Sequence, residues 1–136
     1  MRAIYISINP IHLRRIENKT KNYEFRSFNP KEKIDFLYVY ETVPTSSLKY
    51  IIEIGEIIEF PNKIDELGIG NKEFNEKLTK YKYAYQIKRF YELEKPIALK
   101  ELREKYKFTA PQGYAYDTRY EELTKYIINT DKKIIF

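Results

Sequence analysis

Lys21, Glu24 and Arg26 lie in the run NKTKNYEFRSF, which spans Asn18 to Phe28. Glu24 and Arg26 are two positions apart, so on an extended strand they share a face and can pair. Lys21 falls at the turn into that strand, where its ammonium can reach the same space. The group offers a point cation, a guanidinium fork able to hold a carboxylate or phosphate through two hydrogen bonds, and a carboxylate able to accept from a base amine. An ion pair on a solvated edge strand, worth little energy, is the competing reading. On charge pattern alone it is the weightier one.

Most other chemistries are closed to this chain. It has no Cys, which removes disulfides and thiolate zinc sites. Its single histidine, His12, would have to carry any Ser-His-Asp arrangement, and a structural role is the simpler expectation for it. No P-loop, GxGxxG, HExxH, EF-hand or GxSxG pattern occurs. Asp65-Glu66 and Glu121-Glu122 read as first-turn helix charges favoured by the macrodipole. The sequence therefore offers no metal site and calls for no cofactor. MRAIYISINP has no apolar run of signal-peptide length and nothing approaches a membrane span, so a cytoplasmic protein without a membrane partner is expected. The net charge of +5, from 25 basic and 20 acidic residues, leans weakly towards polyanions. Fourteen Tyr and eight Phe fit a tyrosine-rich β-core, and also the codon bias of an AT-rich genome.

The elements that must position the charged group follow from hydrophobic period and punctuation. With 136 residues and no linker or repeat, the chain reads as a single domain, 1–136. Ala3 to Ile8 is a first strand, and Asn9-Pro10 starts a helix with Leu13 and Ile16 inward, ending near Asn18. Asn22 to Phe28 alternates as a second strand, with Asn22, Glu24, Arg26 and Phe28 on one face. Ile34 to Glu41, apolar on both faces, is an interior third strand. Tyr50 to Phe60 is a fourth, its alternation slipping at Gly55 as a bulge would make it slip. Asn71 opens a helix with Phe74, Leu78 and Tyr81 inward. Tyr83 to Leu93 is a fifth strand, Pro96 to Tyr106 a helix, Ala110 to Gly113 a loop, Tyr120 to Ile128 a helix, and KKIIF a last short strand. Strands that mostly follow one another with short helices between predict an α+β fold, a small mixed β-barrel flanked by short helices. The early connections are too short for a doubly wound sheet.

In this context, Lys21, Glu24 and Arg26 form a K-x-x-E-x-R pattern between a short helix and the second strand. This resembles the ASCH domain, a family within the PUA-like superfamily, whose hallmark is approximately G-x-K-x-x-E-x-R. The usual Gly is Lys19 here. SINP (Ser7 to Pro10), VYETVP (Val39 to Pro44) and Lys95 to Tyr116 also resemble the family's first strand, third strand and ending. The resemblance implies a PUA-like barrel with a cleft between the first helix and the sheet, lined by the motif. It implies RNA or a nucleotide as partner, with a modified base as one form of that ligand. In one branch it implies hydrolysis of acylated cytidine by a motif Lys, a Thr and a Glu. In this chain Asn22 stands where that branch has Thr, and Thr20 is displaced to the other side of Lys21. An N4-acetylcytidine amidohydrolase-like enzyme or a metal-independent ribonuclease using Lys21 and Glu24 is therefore the alternative, and binding the first expectation.

A cleft for an unstacked base needs a flat apolar face. Tyr40, at the end of the third strand, and Tyr114, after the Pro-Gln-Gly turn, are the expected stacking residues, with Tyr116 beside Tyr114. Lys80, Lys82, Lys88 and Arg89 are candidates for a phosphate-tracking patch, each with a plain solvated role as its alternative.

Overall fold

A computed structural model describes residues 2–136. Strand β1 (Ala3–Ile8) runs into helix α1 (Pro10–Glu17), and β2 (Tyr23–Arg26) follows after a tight turn. Strands β3 (Phe36–Glu41) and β4 (Ser47–Glu59), the short helix α2 (Asn71–Asn75) and the long strand β5 (Tyr83–Ala98) come next. The chain ends with α3 (Leu99–Tyr106), β6 (Ala115–Tyr116), a 3₁₀ turn (Asp117–Tyr120), α4 (Glu121–Asn129) and β7 (Lys132–Ile134). The sheet order is β2-β5-β4-β3-β1-β6, with β7 added against β5. All pairings are antiparallel except β1 with β3. This is the expected mixed, curled sheet with short helices, an α+β half-barrel, and β3 is interior to it as its two-sided apolarity required.

The alternation of β1 divides the core in two. Ile4, Ile6 and Ile8 face the concave side, with Leu37 and Val39 of β3, Tyr85 and Phe90 of β5, and Leu13 and Ile16 of α1. Ala3 and Tyr5 face the other side, with Tyr38 and Tyr40 of β3, Leu102 of α3, and Leu123 and Ile127 of α4. A smaller cluster of Tyr23, Ile64, Phe74 and Ala84 backs β2. The register of β4 against β5 shifts on both sides of Ile54, next to Gly55. The bulge read from Gly55 is thus present, and such bulges give a sheet its curl.

The boundaries around α2 and α3 differ most in consequence from the sequence expectation, while β2 and β3 are shorter than expected and β4 begins earlier, at Ser47. The helix from Asn71 stops at Asn75, because Lys77 turns to a φ of 57° and breaks the helical path. Phe74 is buried, but Leu78 and Tyr81 are released from the core, at 71% and 37% exposure. Strand β5 extends to Ala98, and α3 starts at Leu99 rather than Pro96. Pro96 fits in the strand because the ladder is interrupted between the Tyr50–Glu92 and Leu48–Ile97 pairs, where no N–H is needed.

In this sheet order β2 is an end strand, bonded on one edge only, and β6 covers only Ile4 and Tyr5 of β1. The seam between β2 and the far half of β1 is left for side chains and α1 to close. The loop behind it is held by Gly70, whose φ of +88° suits glycine and whose Cβ, if present, would come within 2.9 Å of the Phe25 ring. Gly70→Ala is expected to cost about 1–2 kcal/mol, from the left-handed backbone alone, read as a lower urea midpoint at unchanged m-value. An unchanged midpoint would contradict this account of the loop.

Candidate functional site

Asn9 and Pro10 start α1 as expected, with Pro at the first helical position. Asn9 holds the N-cap position, but its side chain does not cap the helix; its Oδ1 accepts from Thr42 Oγ1 at 3.0 Å. At the other end, Lys19 adopts a φ of 66°. The Lys19 amide donates to the Ile16 carbonyl and the Thr20 amide to the Arg15 carbonyl, each at 3.0 Å. That bonding is the Schellman helix stop, in which the left-handed position is usually Gly. Lys19 therefore keeps the conformation that the motif's Gly would supply, at a steric cost. The Lys21 amide also donates to the Arg15 carbonyl, at 3.0 Å, and the chain turns back so that Lys21 points inward.

Glu24 and Arg26 pair in register with Tyr85 and Tyr83 of β5, on the concave side of the sheet where Tyr85 is buried. Glu24 Oε1 is 3.5 Å from Lys21 Nζ, and Glu24 Oε2 accepts from Arg26 Nη2 at 2.6 Å. The side chains of Lys21, Glu24 and Arg26 are only 6%, 7% and 16% exposed, so the solvated edge-strand reading does not describe them. The same Arg26 Nη2 donates to the Ser7 carbonyl at 3.0 Å, reaching across the open seam from β2 to β1. Lys21 Nζ also sits 4.6 Å from the centre of the Phe25 ring.

These groups open on a cavity of about 220 Å³, lined also by Asn9, His12 and Tyr81. It is smaller than the roughly 300–1,000 Å³ of pockets for drug-sized ligands, and so suits a small group such as one ring. Burial pushes the Lys21 ammonium below the ordinary lysine range, although Glu24 pulls it the other way. Burial also lowers the pKa of His12, followed by the opposing pull of Glu24 and the push of Lys21, so the imidazole is neutral at pH 7. His12 Nδ1 and Arg26 Nε are buried without a hydrogen-bond partner among the described residues. Orphaned buried polar atoms are uncommon and ask for an explanation, a bonding partner brought by a ligand being one.

Helix α1 is fixed over the concave face by a second buried charge that the sequence did not single out. Glu41 is fully buried; its Oε1 accepts from Arg14 Nη2 at 3.3 Å and its Oε2 from Thr45 Oγ1 at 2.9 Å. Arg14 Nη2 also donates to the Tyr50 hydroxyl at 2.8 Å. The acid in VYETVP thus clamps the helix that carries His12.

Other expected site residues lie elsewhere. Tyr40 is 4% exposed and packs on Phe108, on the opposite face of the sheet from Glu24. Its neighbours Val39 and Glu41 face the concave side, and strand alternation turns Tyr40 away. Tyr114 packs at a tilt on Phe28 and edge-on to Tyr116, with ring centres 4.8 and 5.5 Å away, and does not line the cavity. Asn22 also departs from the expected shared face. It lies before β2, donates to the Asp65 carboxylate and accepts from Asn71 Nδ2 at 2.9 Å. Thr20 Oγ1 donates to Asn18 Oδ1 at 2.7 Å in an exposed turn. Neither residue supplies a hydroxyl to the cavity. Lys82 pairs with Glu59, and both Lys88 and Arg89 pair with Glu53, so these cations sit in exposed ion pairs away from the cavity. Tyr81, assigned by its spacing to a helix core, lines the cavity instead.

No family model and no curated protein matches the chain. Solved structures do match. The ASCH protein from Zymomonas mobilis superposes with a TM-score of 0.68 at 22% identity, covering 95% of this chain and 96% of that one. A tyrosine-to-phenylalanine mutant of that protein gives a TM-score of 0.71 at 20% identity over 96% of this chain and all of its own. A serine-to-alanine mutant gives 0.68 at 21% identity. At this level of identity the likeness is one of fold: the chain has the fold of an ASCH domain.

Two outcomes test the electrostatics. Glu24→Ala leaves two buried cations without their carboxylate and is expected to cost about 3–5 kcal/mol in urea unfolding; an unchanged midpoint would mean that Lys21 and Arg26 are hydrated. The folded-state pKa of Lys21 lies below its ordinary 10.5, so between those values the unfolded chain binds more protons and stability rises with pH. Lys21→Met is expected to remove that rise, measured below pH 10.0, where unfolded tyrosines begin to ionise and reverse the trend.

Proposed function

We propose that this chain is an ASCH-family protein that binds RNA or a nucleotide at the Lys21–Glu24–Arg26 cavity. One observation carries the proposal: two cations and a carboxylate are buried together, and they open on a ring-sized cavity instead of being sealed in the core. Ion clusters of this kind are weak contributors to stability, so their burial points to a use.

The donors left over define the ligand. Arg26 has five N–H groups. Those on Nη2 serve Glu24 and Ser7, and Nε–H has no partner among the described residues. The Lys21 ammonium has three N–H donors, one directed at Glu24. Phosphate or base acceptor atoms would take up the remainder, while Glu24 holds Arg26 in place and can accept from an exocyclic amine. The N-terminal turn of α1 adds the positive end of a helix dipole beside Asn9 and His12.

A hydrolytic reading has one observation in its favour, the depressed Lys21 pKa, which suits a base or nucleophile paired with Glu24. Turnover of N4-acetylcytidine or RNA that Lys21→Ala abolishes would establish it, and inactivity on both at high enzyme concentration would end it. Thr20 and Asn22 bond away from the cavity, which weighs against the amidohydrolase form.

Filter binding with single-stranded RNA tests the binding reading. Affinity is expected to fall as salt rises, and Lys21→Gln and Arg26→Gln are each expected to weaken binding about tenfold and reduce the salt slope by about one. Absence of binding at low salt, or unaltered binding by both folded variants, would refute it.

A further inference from the structure

A cationic cavity alone would take any small anion; what it would select depends on its flat surfaces. Two aromatic rings line it, Phe25 and Tyr81. Phe25 is already occupied: it stacks on Phe74, with ring centres 5.6 Å apart and planes 29° apart, and carries the Lys21 ammonium over its ring. Tyr81 is different. It belongs to none of the hydrophobic clusters and is 37% exposed.

The backbone nonetheless holds Tyr81 in place. Its amide donates to Thr79 Oγ1 at 3.2 Å, and the next residue, Lys82, accepts at its carbonyl from the Phe60 amide at 2.9 Å. The left-handed turn at Lys77 stops α2 early, so residues 78–82 form a loop instead of a helix, and from it Tyr81 lines the cavity. The neighbouring Lys80 ammonium also sits over the Tyr81 ring, 5.4 Å from its centre, but unlike Phe25 this ring packs on no other aromatic ring among the described residues. A partly exposed aromatic ring with one cation beside it and others lining the same cavity is how proteins hold single strands, with bases stacked on the ring and phosphates at the cations.

We infer that Tyr81 is the stacking wall of this cavity and that the ligand is an unpaired base within a single-stranded nucleic acid. The base lies on the Tyr81 ring, beside Lys21 and Arg26, and Lys80 meets a flanking phosphate. Tyr81 thus sets specificity for a planar base over a bare polyanion. This inference rests on the proposed binding function and narrows it.

The test compares two short RNA strands of equal charge, one intact and one abasic at its central position. Wild-type protein is expected to bind the intact strand about tenfold more tightly. Tyr81→Ala is expected to bring the two affinities together while leaving the salt slope unchanged, and Tyr81→Phe to keep the preference. Because the Tyr81 side chain is outside the core, thermal unfolding of both variants should match wild type. Equal wild-type affinity for both strands, or a preference that survives in folded Tyr81→Ala, overturns the stacking role while leaving the binding function in place. Failure of wild type to bind either strand at low salt overturns both.

Discussion

Glu24 directs both carboxylate oxygens inward, one to Lys21 Nζ at 3.5 Å and the other to Arg26 Nη2 at 2.6 Å. An isolated carboxylate at this depth would be strongly disfavoured, and so would either cation. Together they are tolerated, and through them three segments are tied: the end of α1 by Lys21, β2 by Glu24 and β1 by the Arg26 bond to the Ser7 carbonyl. That bond spans the seam between β2 and the far half of β1, where backbone pairing is missing. The seam of the barrel is thus closed by charges and a helix, and the cavity sits where they meet.

The rest of the molecule serves this arrangement. Helix α1 is held against the concave face by Leu13 and Ile16 and clamped by Arg14 to buried Glu41. The β4 bulge beside Gly55 supplies curl, which brings β2 round towards β1. Asn22 is directed to Asp65 and Asn71, which fixes the loop that leads through Gly70 to α2 and on to Tyr81. The residue that departs from the hydrolytic pattern therefore has a structural role, securing the loop that carries the ring at the cavity. Fold likeness to ASCH structures is compatible with several chemistries, and it is the side chains at the seam that favour binding.

What was legible in the sequence was local. Asn9-Pro10, the two-residue period through Glu24 and Arg26, and the short distance from Lys21 were enough to bring three charges together, because one turn and one strand position them all. What was illegible depended on long-range pairing or on an unmarked backbone. Tyr40 was misplaced because alternation separates two faces without saying which one carries the cavity; the β1–β3 pairing and the layer formed by α3 and α4 decide that. Tyr81 was missed because its spacing from Phe74 fits a helix, while the stop lies at Lys77, a residue type that rarely takes positive φ and gives no warning in sequence. Pro96 read as a helix start because nothing local reveals a gap in the β4–β5 ladder.

Ligand contact at the seam is the central claim, and amide chemical-shift mapping tests it most directly. Isotope-labelled protein titrated with a short single-stranded RNA should show its largest shifts at Ser7, Asn9, His12, Lys21, Glu24, Phe25, Arg26 and Tyr81, which frame one cavity. Shifts confined to a different surface, such as the wider hollow of about 890 Å³ around Lys31, Lys33 and Lys88, would contradict it.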